Sequence, residues 1–251
     1  MGGAMVEGFA QYGAFDAKDI TASGPHMETL ERLRPTGVNL TTDNREAAKT
    51  ADVVMLAVKP WLTEQVVKEI KDSMDYNRQT LVSVAAGVSS ADLKGWLDKG
   101  DGKLPQLLIA MPNIAIAVGS SMTFIVPAGA DEATVNMVEK IFTAAGSTLI
   151  VEERLLGQCI SVSCSIAYAM RYVRASMEGC VELGFKAKDA RKTVLQIVKG
   201  AVELLQHDGN HPEADIDKVT TPGGYTIRGL NEMEHAGFTS AVIRGLKAGS
   251  K

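Results

Sequence analysis

The sequence predicts an α/β fold in two parts, a doubly wound sheet domain over residues 1–152 and an all-helical domain over residues 153–251. Three observations carry this. Up to about Glu152, short apolar runs alternate with amphipathic stretches. The apolar runs are nearly continuous, as in Val53-Val54-Met55-Leu56-Ala57-Val58, which suits parallel strands covered on both faces. Beyond Glu152 the apolar spacing is helical almost throughout.

Taken in order, residues 2–13 read as a helix. Strands are expected at 19–23, 52–58, 80–85, 106–110, 122–126 and 147–151, with helices at 27–33, 62–74, 91–97 and 132–144. In the second part, 155–183 reads as one long helix ended by Gly184. Helices at 188–205 and 214–218 follow, then one opening after Gly224 and a last one at 239–246. A dinucleotide-binding unit opens with an apolar strand and a Gly-x-Gly-x-x-Gly turn. Here Met1-Gly2-Gly3-Ala4-Met5 already reads as the helix after that turn, so the opening strand is expected upstream of Met1. Its loss would remove several kcal/mol of burial, at roughly 1.5–3 kcal/mol per large side chain.

The chain of 251 residues is 45% hydrophobic and 22% charged, with a net charge of −4. Neither half is a cationic surface, so nucleic acid is not an expected partner. No apolar run reaches the roughly 18–20 residues of a membrane span, and no signal peptide is visible, so a cytoplasmic protein without membrane attachment is expected. Cys159, Cys164 and Cys180 are odd in number and form no CxxC, which suits reduced core residues. His207 and His211 have the spacing of a zinc pair, but Gly209 lies between them and Pro212 follows; no metal site is expected.

One segment is more informative than the rest, Thr220-Thr221-Pro222-Gly223-Gly224-Tyr225-Thr226-Ile227-Arg228-Gly229-Leu230. Pro222 fixes φ, and the two glycines allow positive φ and close backbone approach. The free N–H groups of the following helix then face the turn, beside the hydroxyls of Thr220, Thr221 and Thr226. That is a seat for a small carboxylate.

With its continuation Asn231-Glu232-Met233-Glu234-His235-Ala236-Gly237-Phe238, this stretch resembles the signature of the pyrroline-5-carboxylate reductase family. Other segments are similar to the family in the family's order: Met1-Gly2, Asn44 to Pro60 with its Ala57-Val58-Lys59-Pro60 loop, Ala85-Ala86-Gly87-Val88, and Met111-Pro112-Asn113. The resemblance implies a Rossmann-type domain followed by a helical dimerisation domain, and reduction of 1-pyrroline-5-carboxylate to L-proline with NADPH or NADH. It assigns Gly2, Asn44, Ala57, Val58, Lys59, Pro60 and Asn113 to the cofactor, to which the strand end at 21–26 adds Ser23. Thr220, Thr221, Gly223, Gly224, Tyr225 and Ala86 fall to the substrate, and Thr226 to the ring nitrogen as the catalytic hydrogen bond. A related NADP-dependent oxidoreductase acting on another imine or a 3-hydroxy acid is the alternative, and a non-catalytic dimer is a third.

Departures from the family's pattern are local. Residues 162–168 read Val-Ser-Cys-Ser-Ile-Ala-Tyr where a Gly- and Pro-containing run is usual, which favours an uninterrupted helix. Ile114 replaces a common threonine, and Tyr225 a small residue. The stretch Thr21-Ala22-Ser23-Gly24-Pro25-His26 has no carboxylate to hold a ribose 2′-hydroxyl, while Ser23 and the backbone at Gly24 offer donors to a 2′-phosphate, which points to NADPH. The helix at 155–183 is apolar on several faces, which the small helical part cannot cover alone. A homodimer or higher homo-oligomer built from residues 153–251 is expected.

Overall fold

The computed structural model describes residues 1–13 and 15–250. The chain divides into two compact units, Met1–Ser163 and Cys164–Lys251. In the first, α1 (Gly2–Tyr12) leads to β1 (Thr21–Ser23), α2 (Met27–Glu31), β2 (Asn39–Thr41), α3 (Asn44–Thr50), β3 (Val53–Leu56), α4 (Pro60–Ile70), β4 (Thr80–Ser83), α5 (Ser90–Leu97), β5 (Gln106–Met111), β6 (Ser121–Val126), α6 (Glu132–Thr143) and β7 (Gly146–Ile150). Helix starts follow local chemistry. Asp43 accepts from the N–H groups of Arg45 and Glu46, Ser89 and Asp92 form a capping box, and Asp131 accepts from Thr134.

Alternation along the strands builds a core on each face of the sheet. Leu107, Ile109 and Met111 pack with Val67 and Ile70 of α4 and Leu93 and Leu97 of α5. Leu108 and Ala110 point the other way, with Met5 and Phe9 of α1 and Val138, Ile141 and Phe142 of α6. Strands β3, β4 and β5 are parallel, with Val54 opposite Leu81 and Leu81 opposite Leu107. β6 departs from the all-parallel expectation. It runs antiparallel to β5 because only a 3-10 turn at Ile114–Val118 joins them, too short for a parallel crossover. β2 and α3 lie outside the elements the sequence predicts: the three residues of β2 give too little alternation to read, and the seven of α3 bury only Ala48.

The strands form two sheets, β1-β2 and β3-β4-β5-β6-β7. β1 and β3 each keep one edge without a strand partner among the described residues. Between them lies a cavity of about 1280 Å³ walled by Met5, Phe9, Ala22, Leu33, Val54 and Met55, among others.

The expected single helix at 155–183 is two, α7 (Leu156–Cys164) and α8 (Ile166–Glu182). At Ser165 ψ opens to −12° and the Tyr168 N–H reaches back only three residues, to the Ser165 carbonyl at 2.8 Å. Apolar spacing cannot register a one-residue break, and a serine is a poor helix holder even without proline. The break falls at the division between the units. α9 (Ala187–Asp208), α10 (Pro212–Lys218), α11 (Tyr225–His235) and α12 (Phe238–Gly249) complete the second unit, where only Ala190 and Val194 are buried among the described residues.

Candidate cofactor and substrate sites

The C-terminal end of β3 continues as Ala57, Val58, Lys59 and Pro60, with Lys59 as N-cap and Pro60 as the first residue of α4. Gly2 opens α1 directly against this strand end, where a Cβ would come within 3.1 Å of the Ala57 Cβ. α1 has no capping side chain and no acid in its first turn, so its first N–H groups remain available. The Arg32 guanidinium lies against Gly3, where a Cβ would collide with it. A bare helix N-terminus, two side-chain-free residues and a cation form a donor set that fits a pyrophosphate.

Ser23 ends β1, the strand after α1, and its hydroxyl donates to Asn44 Oδ1 at 2.6 Å. The Asn44 amide donates to Glu69 Oε2 at 3.2 Å and Oε1 at 3.3 Å. Gly24 N–H donates to the Thr41 carbonyl at 3.3 Å. The two donors expected to meet a phosphate are therefore already engaged. The structure also brings up a carboxylate, Glu69, that local sequence near Ser23 does not contain.

Two further strand ends follow the same rule for ligand placement in open α/β sheets. Ala86 is exposed after β4, beside Gly87 at φ +82°. The turn is pinned below by Glu153, whose carboxylate accepts from the Ser90 N–H at 2.7 Å and hydroxyl at 2.6 Å. Asn113 follows β5; its Oδ1 accepts from Ala115 N–H at 2.9 Å, and its own N–H donates to Ser121 Oγ at 3.1 Å.

In the second unit, Thr221 to Gly224 form a tight turn, with Gly224 N–H donating to the Thr221 carbonyl at 3.0 Å. Pro222 and Gly223, the latter at φ +68°, occupy its two central positions, the pattern of a type II turn. A Cβ at Gly224 would press on the Thr221 side chain and carbonyl, so a larger residue there would require Thr221 to shift. Gly224 is the N-cap of α11, which has neither a side-chain cap nor an acid in its first turn. Thr221, Tyr225 and Thr226 are exposed around it, whereas Thr220 has turned its hydroxyl proton to the Ile216 carbonyl at 2.7 Å. Tyr225 is 88% exposed, with the Arg228 guanidinium 4.9 Å from its ring centre.

The approach to this turn is held by charge. Lys218 bridges Asp215 at 2.7 Å and Asp208 at 3.1 Å. The hydrogen bond from His207, together with Lys218, holds the Asp208 carboxyl below the usual carboxylate range. His207 thus contacts Asp208, and His211 accepts from Glu213 N–H at the start of α10. The described residues hold no cluster of three or more potential metal ligands.

A two-sided sheet with helix N-termini at its strand ends, followed by a helical unit with a Pro-Gly-Gly turn at an uncapped helix N-terminus, fits the class of two-domain NAD(P)-linked oxidoreductases. Residues 153–251 match the family model for pyrroline-5-carboxylate reductase dimerisation, and residues 1–87 that of NADP oxidoreductase coenzyme F420-dependent. The chain is 35% identical to a pyrroline-5-carboxylate reductase of Synechocystis, over 92% of this chain and 85% of that protein. It is 34% identical to pyrroline-5-carboxylate reductase 1 of Dictyostelium discoideum, over 100% of this chain; it spans only 47% of that protein's length. Its fold is that of the NADP-bound pyrroline carboxylate reductase of Plasmodium falciparum, with a TM-score of 0.86 at 22% identity over 98% of this chain and 90% of that one. The chain belongs to the pyrroline-5-carboxylate reductase family.

Proposed function

We propose that the protein reduces 1-pyrroline-5-carboxylate to L-proline with NADPH, NADH serving as well, as a cytoplasmic homodimer whose helical domain comprises residues 153–251. The observation that carries this is the uncapped N-terminus of α11 behind the Pro222-Gly223-Gly224 turn, inside the segment matched by the dimerisation model. Among the described residues no helix is long and apolar enough to cross a membrane.

Bound NADPH supplies the hydride. The chain has to hold, orient and exclude water. The N–H groups of α1 from Gly2 on, with Arg32, take the pyrophosphate; Ser23 and Asn44 face the adenosine ribose; Ala57 to Pro60 flank the dinucleotide. Asn113 lines the nicotinamide end, where Ala86 meets the substrate. The α11 N-terminus, Thr221 and the Gly223-Gly224 backbone hold the substrate carboxylate, with Tyr225 beside it. Thr226 Oγ1 hydrogen-bonds the ring nitrogen. An imine protonated in solution needs no further acid, which suits a turn without one. Following NADPH oxidation at fixed substrate tests the whole reading. Thr226→Ala should lower kcat/KM by roughly tenfold to a hundredfold, the effect of a charge-assisted hydrogen bond, and leave NADPH affinity almost unchanged. An equal loss of NADPH binding would remove Thr226 from the role.

The cavity between β1 and β3 supports a second part of the proposal, that a strand preceding Met1 completes the sheet. A parallel strand placed there would end at the C-terminal end of β3, where Gly2 abuts Ala57 and α1 begins. Extending the chain upstream by about ten residues should raise both the melting temperature and NADPH affinity, since the added strand brings the Gly-x-Gly turn to the pyrophosphate. A stop codon directly before Met1 in the genomic frame would end this account.

A further inference from the structure

We infer that Glu69 sets the balance between the two nicotinamide dinucleotides, opposing a 2′-phosphate and favouring a free ribose 2′-hydroxyl. The inference rests on the dinucleotide reading above. In a strand–helix–strand unit of this kind, the ribose is read at the end of the strand after the first helix, and a carboxylate there selects the hydroxyl. That strand is β1, ending at Ser23, and it carries no acid of its own. The fold supplies one from α4. Burial of Thr63, Val67 and Ile70 fixes the rotation of that helix and leaves Glu69 half-buried at the cavity wall, together with Ser23, Gly24 and Asn44.

Asn44 links the two ends of this arrangement. Its Oδ1 takes the Ser23 proton and its amide spans both Glu69 oxygens, so Ser23 Oγ is left facing any ligand as an acceptor. Gly24 N–H is spent on Thr41. Acceptors then dominate the strand end: Ser23 Oγ and the unused lone pairs of Glu69. A 2′-hydroxyl can donate to them. A 2′-phosphate brings about −1.5 to −2 charge and no donor, and meets a carboxylate instead. The neighbouring cation is Arg45, which donates Nε to the Glu69 carbonyl at 3.2 Å and is the rival reader of a phosphate.

The test separates nucleotide recognition from chemistry. Calorimetry would measure binding of adenosine 2′,5′-bisphosphate and of 5′-AMP to the wild-type protein, Glu69→Gln and Glu69→Asp, alongside kcat/KM with NADPH and NADH. Glu69→Gln should tighten the bisphosphate about tenfold and move 5′-AMP much less, and the NADPH-to-NADH ratio of kcat/KM should rise by a similar factor. Glu69→Asp, which keeps the charge, should hold the wild-type discrimination. A Glu69→Gln protein with the wild-type melting curve and unchanged bisphosphate affinity overturns the inference. So does an Arg45→Ala variant that loses bisphosphate binding while Glu69→Gln has no effect. Absence of imine reduction with either dinucleotide, while both nucleotides bind as expected, counts against the proposed reaction and leaves the role of Glu69 standing.

Discussion

In the N-terminal unit Phe142 is wholly buried, its ring edge-on to that of Phe9 at 5.5 Å, and helices close over both faces of the sheet. In the helical unit Met170 is 58% exposed, Ile197 64% and Leu204 58%, and among the described residues the buried positions reduce to Ala190 and Val194. The two units carry comparable apolar sequences and use them differently. A twisted sheet has two broad faces that its own crossover helices can cover. A handful of helices with about 90 residues has too little chain to cover every apolar side, and its surface becomes an assembly surface. The first unit therefore draws stability from itself, and the second from a second copy, in keeping with its match to a dimerisation family.

The sharpest break of that contrast is Met170→Asp. A charge on an apolar helix face meant for a partner should abolish the dimer and yield aggregate or unfolded chain, whereas the wild-type assembly should persist on dilution with an interface above roughly 2,000 Å². A folded, active monomer at micromolar concentration, seen by sedimentation, would defeat the assembly argument. Phe142→Ala comes next. It should cost about 3–5 kcal/mol, a core truncation whose effect on the first unit's unfolding does not depend on protein concentration. If the loss tracked concentration as strongly as that of Met170→Asp, the first unit would not be self-sufficient.

The smallest effect belongs to Tyr76, whose hydroxyl donates to the Leu97 carbonyl at 2.7 Å under the Lys99 ammonium. Burial first, then Asp72, Asp101 and Asp98, push its phenol up to about 12 from 10.0. The protonated phenol's contribution is complete below pH 10 and is lost as pH rises through about 12. Tyr76→Phe should cost about 1 kcal/mol at neutral pH, and denaturation across pH 9–12 should show a flatter alkaline fall. An alkaline slope equal to wild type would place its origin elsewhere.

Much of this was legible in the residues. The stretches at 52–58, 80–85 and 106–110 read as strands because they are short, largely apolar and bounded by turn residues, which suits a sheet covered on both faces, and Pro222-Gly223-Gly224 reads as a turn because proline fixes φ and glycine admits positive φ. The break at Ser165 and the reversed direction of β6 were not, since apolar periodicity reports which face is buried and carries no information on chain direction or a one-residue change of backbone angle.

The sequence by itself determined the α/β-then-helical plan, the strand-end loops at Ala57–Pro60 and Ala86, the Pro222-Gly223-Gly224 turn before α11 and the kinship these imply. Tertiary structure alone decided that Ser23, Asn44 and Glu69 stand together, that Arg32 lies against Gly3, and that Glu153 pins the turn before α5. The reason is physical. Turns and strands follow from forces acting within a few residues, whereas a carboxylate at a distant strand end depends on how one helix is rotated by the residues it buries, and that is settled only when the whole core packs.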